Sequence, residues 1–79
     1  MVKNPLRTIV VGAGTIAGIH IDVLRRIGVD VVSLVASTPE RSAEAAERFG
    51  IPRGDPDLET AIRGSDAQVV HICTPNTLH

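Results

Sequence analysis

The 79-residue chain predicts an α/β fold: half of a doubly wound, Rossmann-type domain with a parallel sheet of order 3-2-1-4 and flanking helices. Three observations carry that expectation. Apolar runs alternate with helix-period segments, as in βαβ units with right-handed crossovers. The first run leads straight into Gly12-x-Gly14-x-x-Ala17, and an amphipathic segment follows the glycines. The apolar content comes from Val, Ile, Leu and Ala, with Phe49 the one aromatic residue.

The first strand spans Leu6 to Val11, and its near-continuous apolar run suits a strand covered on both faces. Gly12 lets the chain turn off it. Gly14, lacking a Cβ, admits a pyrophosphate close to the backbone, and Ala17 is small enough for helix and strand to pack together. The first helix, Thr15 to Ile27, carries Ile16, His20, Val23, Leu24 and Ile27 as its apolar stripe, and Gly28 ends it. Its first turn, Thr15, Ile16 and Ala17, offers unpaired N–H groups and a positive dipole end to two phosphates.

The second strand is expected at Val31 to Ala36. Ser37-Thr38-Pro39-Glu40 then supplies a hydroxyl cap, a first-turn proline and an acid for the dipole of a second helix, which runs to Phe49 and stops at Gly50. Ile51 to Arg53 is at most a short third strand. Asp55-Pro56 opens a third helix with Leu58, Ala61 and Ile62, closed by Gly64, and Ala67 to Cys73 forms the fourth strand. Phosphates are expected at the carboxyl ends of strands one and four.

Composition narrows the function classes. A formal net charge of −1 with no basic cluster argues against nucleic acid as a partner. No apolar run approaches the roughly 20 residues that span a membrane, and the amino-terminal segment lacks the apolar core of a secretion signal. The single cysteine, Cys73, has no internal partner and fits a reducing, cytoplasmic setting.

From Ile9 to His79 the chain resembles the amino-terminal domain of the glucose–fructose oxidoreductase, inositol dehydrogenase and MocA family. Three blocks carry the likeness: Val11-Gly12-Ala13-Gly14-Thr15-Ile16-Ala17-Gly18-Ile19-His20; Pro39-Glu40-Arg41 through Ala46-Glu47-Arg48-Phe49-Gly50-Ile51-Pro52; and Asp66 to His79, ending Cys73-Thr74-Pro75-Asn76-Thr77-Leu78-His79. The resemblance implies an NAD(P)-dependent oxidoreductase that transfers hydride to or from a sugar, polyol or similar hydroxyl substrate. It places Thr74, Pro75 and Asn76 against the dinucleotide and His79 near the nicotinamide. Family members continue with a Glu-Lys-Pro segment and a sheet-rich second domain. Residues 1–79 are therefore expected to be a partial dinucleotide-binding domain, with no catalytic residue of its own and not a complete enzyme. The other reading is a free-standing nucleotide-binding or structural module.

The end of the second strand bears on cofactor choice. An NAD site usually has Asp or Glu there, for the ribose hydroxyls. Here Ser37 and Thr38 stand in that place, with Arg41 one turn on, while Asp30 lies at the strand's start. Hydroxyls and a guanidinium suit a 2′-phosphate, so NADP is expected over NAD. Ser37 or Thr38 could equally cap the helix, with Arg41 a solvated charge. The two roles are compatible.

His20 is expected to be packed with a hydrogen-bonded ring, His71 to be structural within its strand, and Cys73 to be core. His20, Asp22 and His71 offer no ligand geometry from sequence, so no metal is expected. Val69, Val70 and Ile72 would line an exposed edge with unpaired backbone groups, which predicts self-association through the fourth strand.

Overall fold

A computed structural model describes residues 6–12 and 14–73. Its elements are β1 (Arg7–Val11), α1 (Thr15–Arg26), β2 (Asp30–Val35), α2 (Pro39–Phe49), β3 (Arg53–Asp55), α3 (Leu58–Gly64) and β4 (Val69–Ile72). The four strands form one parallel sheet in the order β3-β2-β1-β4, as expected. Between Thr8 and Ile9 the register of β1 against β2 slips by one residue.

Alternation along the strands divides the core into two layers. Val10, Val31 and Leu34 pack with Ala17 and Ile21 of α1 and Ala45 and Ala46 of α2. Ile9 and Val35 face the other way and pack against Ala61 of α3. Full burial of a residue such as Ile21 contributes about 1.5–3 kcal/mol, and Ile9 and Val10 supply it on the two faces of β1.

The helix termini follow their sequence signals. Thr38 caps α2, its hydroxyl accepting from the Arg41 amide at 3.0 Å, with Pro39 in the first turn. Gly50 ends α2 in the left-handed region, and Gly28 follows α1 with φ of +87°.

Three expectations need correction. The buried face of α1 is Ala17 and Ile21 with half-buried Leu24, one turn-row over from the expected stripe. Of that stripe, Ile16, Val23 and Ile27 are exposed, Ile27 by 68%. Small Ala17 can come flush against β1, and the richer apolar face is left outside.

The third strand is Arg53–Asp55 and not Ile51 to Arg53. Ile51 is buried where the chain leaves α2, its amide donating to Ala46 at 2.8 Å. Gly54 lets β3 lie hard against α2, because a Cβ there would stand 2.3 Å from the Ser42 carbonyl oxygen. Asp55 consequently ends a strand instead of opening a helix. Its carboxylate accepts from the buried Ser33 hydroxyl and pairs with Arg53 at 2.9 Å. The cap of α3 is Asp57, which accepts from the Thr60 amide at 2.7 Å.

The fourth strand is shorter than expected, Val69–Ile72 in place of Ala67 to Cys73. Cys73 nevertheless keeps a sheet-like bond, donating its amide to Val11 at 2.8 Å. Among the described residues no helix is long and apolar enough to cross a membrane.

Candidate dinucleotide site

The glycine segment sits where three strand ends converge. Gly12 leaves β1 with φ of +126° and donates its amide to the Val35 carbonyl at 2.7 Å. That bond lays the start of the loop over the end of β2. On the other side, the Cys73 amide bonds the end of β1, so the exit of β4 borders the same loop. The crevice therefore lies at the carboxyl ends of β1, β2 and β4, where open α/β sheets bind ligands.

Gly14 stands at the N-cap of α1 with φ of +92° and ψ of −164°, a backbone region essentially restricted to glycine. Among the described residues, and apart from its chain neighbours, no heavy atom lies within 4 Å of where its Cβ would be. The first bond of α1 runs from the Gly18 amide to the Gly14 carbonyl at 3.1 Å, so the amides of Thr15, Ile16 and Ala17 have no acceptor within the helix. Among the described residues no side chain caps this end, and no acidic residue occupies the first turn. Open space before a Cβ-less residue, free amides and a positive dipole end make a cradle that fits a pyrophosphate.

The structure places the sequence candidates in distinct roles. Gly12 and Gly14 shape the loop. Thr15 is the first residue of α1, and Ile16 beside it is 51% exposed. Ala17 is fully buried in the core, where it brings α1 onto β1. Ser37, Thr38 and Arg41 are exposed on the turn from β2 into α2. Among the described residues Arg41 takes part in no ion pair. Asp30 begins β2 and is about 17 Å from its far end at ordinary strand rise, which removes it from the crevice. Thr74, Pro75, Asn76 and His79 lie outside the described residues.

Ser42 is a supporting residue that sequence reasoning missed. It is fully buried, and its hydroxyl accepts from the Ala36 amide at 2.7 Å, fixing the turn that presents Ser37 and Thr38. A serine four residues beyond a helix cap gives no sequence signal for that role. Gly18 is a second supporting residue, bringing α1 close to α2. A Cβ there would meet the Phe49 ring at 3.1 Å, so α1 and α2 touch at this point. A groove of about 500 Å³ follows that contact, lined by Gly14, Gly18, Ile19, Asp22, Arg48 and Phe49. It includes none of Ser37, Thr38 and Arg41.

His20 is exposed and not packed as expected, though its ring is hydrogen-bonded. Its ring and that of His71 are solvent-accessible, and they meet each other across 3.1 Å, His71 Nε2 to His20 Nδ1. Cys73 is core as expected, and burial pushes its thiol pKa above the ordinary value.

Comparison with known proteins agrees with this geometry. Residues 6–79 match the model of an oxidoreductase family described by its NAD-binding Rossmann fold, GFO_IDH_MocA. A 4-carboxy-2-hydroxymuconate-6-semialdehyde dehydrogenase from a Sphingobium strain is 35% identical over 75 residues, covering 94% of this chain and 24% of that protein. A levoglucosan dehydrogenase from Pseudarthrobacter phenanthrenivorans is 44% identical over 46 residues, covering 58% of this chain and 12% of that protein. The chain thus spans a quarter or less of the curated relatives it matches. The crystal structure of an NAD binding oxidoreductase from Klebsiella pneumoniae superposes with a TM-score of 0.80 at 20% identity, over 91% of this chain and 22% of that one. At that identity the likeness concerns the fold.

Proposed function

The chain belongs to the Gfo/Idh/MocA oxidoreductase family and is an NAD-binding Rossmann domain; from that premise we propose that it holds NADP for a dehydrogenase acting on a sugar, polyol or similar hydroxyl compound. The observation that carries binding is the open amide cradle at Gly14, which has no carboxylate in the first turn of α1. In this reading Gly12, Gly14, Thr15, Ile16 and Ala17 form the pyrophosphate loop. Thr74, Pro75, Asn76 and His79 are assigned to the cofactor on the family likeness alone. When bound, the cofactor supplies the hydride acceptor or donor. The chain's own residues bind and orient it and exclude water from its phosphates.

The choice of NADP rests on the turn after β2. Thr38 uses its oxygen as the acceptor of the helix cap, which leaves its O–H free to donate. Ser37 and Arg41 are exposed beside it, no carboxylate residue follows β2 before Glu40, and Asp55, opposite Val35, is turned onto Ser33 and Arg53. A 2′-phosphate would accept from Ser37, Thr38 and Arg41, whereas a bare ribose diol lacks the acidic partner it usually has. Glu40 lies in the same turn, exposed, where it complements the helix dipole. A buried, unpaired Cys73 suits a reducing compartment, and we place the protein in the cytoplasm. We further propose that the 79-residue chain taken alone self-associates through β4.

Calorimetric titration with NADPH and NADH tests the cofactor reading, since the chain has no Trp or Tyr to quench. NADPH should bind more tightly. Arg41→Ala should weaken NADPH by roughly 10–100-fold, the worth of a charge-assisted hydrogen bond, and leave NADH nearly unchanged. Tighter binding of NADH to the unaltered chain would overturn the NADP assignment.

A further inference from the structure

Beside the nucleotide crevice, α1 and β4 bring together three side chains that the dinucleotide reading does not use. β4 pairs with β1 so that His71 lies opposite Val10. His71 and Cys73 therefore project to the α1 side of the sheet, the side on which Val10 and Cys73 share a core cluster with Ala17 and Ile21. On α1, His20 directly precedes buried Ile21 and reaches toward β4. The imidazoles stand 3.1 Å apart, Nε2 to Nδ1, with ring centroids 5.0 Å apart. One ligand atom from each of His20, His71 and Cys73 lies within 4.8 Å of the others.

Those separations match a metal's demands. Tetrahedral zinc with ordinary Zn–N and Zn–S bonds sets its ligand atoms roughly 3.3–3.7 Å apart. The two imidazole nitrogens are already near that spacing, and the sulfur needs to close by only about 1 Å. Two imidazoles and a thiolate form a borderline-soft set that prefers zinc-like ions to magnesium or calcium. Asp22, the other candidate ligand nearby in sequence, is held by Arg26 at 3.1 Å and is not in the cluster. Both rings are solvent-accessible, so a fourth position would be open to water. The packing of α1 is chiefly against β1 and β2, and a metal here would tie it directly to β4 as well.

We propose that His20, His71 and Cys73 form a binding site for one zinc-class divalent cation, with its fourth position open to water. On binding, the Cys73 thiol releases its proton to solvent. The ring nitrogen that donates the inter-ring hydrogen bond passes its proton through solvent to the other nitrogen of the same ring, so both facing nitrogens of the neutral imidazoles bind the metal.

Titration of the untagged 79-residue chain with Co2+, read by absorption, tests this. One equivalent should give tetrahedral ligand-field bands and a thiolate-to-cobalt charge-transfer band, both abolished by excess Zn2+ and unaffected by excess Mg2+. Cys73→Ser should remove the charge-transfer band. His20→Gln changes a solvent-accessible helix position and so spares the core. It should weaken binding at least as much as the roughly 10–100-fold lost when a ligand's own hydrogen-bond partner is removed. The proposal fails if saturating cobalt gives no charge-transfer band, if His20→Gln binds like the unaltered chain, or if one metal is held per two chains.

Discussion

The amide of Gly12 donates to the carbonyl of Val35 across 2.7 Å, which couples the start of the glycine loop to the end of the neighbouring strand. The loop's position is therefore set by sheet pairing, and its shape by two glycines at positive φ, Gly12 at +126° and Gly14 at +92°. Space is not the constraint at Gly14, since among the described residues beyond its chain neighbours a Cβ added there would meet no heavy atom within 4 Å. Conformation is. Gly14→Ala should cost about 1–3 kcal/mol of strain and project a methyl into the pyrophosphate cradle. Calorimetry should show NADPH affinity lowered more than roughly tenfold, with circular dichroism retaining the native helix signal. Unchanged affinity would remove the loop from the site.

Gly54 obeys the opposite constraint, having ordinary backbone angles but no room. Its Cβ would stand 2.3 Å from the Ser42 carbonyl oxygen and 2.8 Å from the Ala43 Cα, both backbone atoms that cannot rotate aside. Gly54→Ala must push β3 away from α2, and overpacking of this kind costs about 1–3 kcal/mol or more. Urea denaturation should show the midpoint falling at unchanged slope. A midpoint within error of the unaltered chain would mean that β3 does not hold this register.

How far these features could be read from sequence depends on where the energy comes from. The sheet order follows from apolar runs and a glycine loop, both local signals, and it was legible. The third strand was not, because Arg53-Gly54-Asp55 is stabilised by close backbone approach and a polar pair, with no apolar run to mark it. The buried face of α1 was misread because Ala17 and Ile21 are outnumbered by Ile16, Val23 and Ile27. Periodicity finds the richer stripe, whereas packing selects the residues small enough to approach β1. His20 and His71 are separated by 51 residues, and only strand pairing makes them neighbours.

The free edge of β4 leads to a third prediction. Among the described residues β4 pairs with β1 alone, and Val70 and Ile72, 37% and 66% exposed, leave apolar surface beside that edge. Parallel strands are ordinarily covered on both faces, and a bare edge templates pairing with another chain. Analytical ultracentrifugation of the 79-residue chain at high micromolar concentration should show a dimer. Ile72→Lys should shift it toward monomer, because a lysine on an edge strand opposes such pairing. A monomer in the unaltered chain at that concentration would refute the reading.

Asp55 connects the fold's polar core to pH. Its carboxylate is buried, and the Arg53 guanidinium hydrogen-bonded to it holds its pKa below the ordinary 3.8, with the Ser33 hydroxyl acting in the same direction and desolvation opposing both. A carboxylate whose folded pKa is depressed binds protons more weakly folded than unfolded. Its contribution is thus complete above the ordinary carboxylate range and disappears as pH falls through the lower, folded value. Stability measured by urea should be flat with respect to Asp55 down to about pH 5 and fall below it. Asp57 adds to the same limb, because the Thr60 amide bonded to its carboxylate also lowers its pKa. Asp55→Ala leaves the buried Ser33 hydroxyl without its acceptor, at a cost of about 1–3 kcal/mol at neutral pH. The variant should also lose part of the acid dependence, since one of the two depressed carboxylates is gone. An acid limb as steep in Asp55→Ala as in the unaltered chain would show that the Ser33–Asp55–Arg53 contact does not persist in solution.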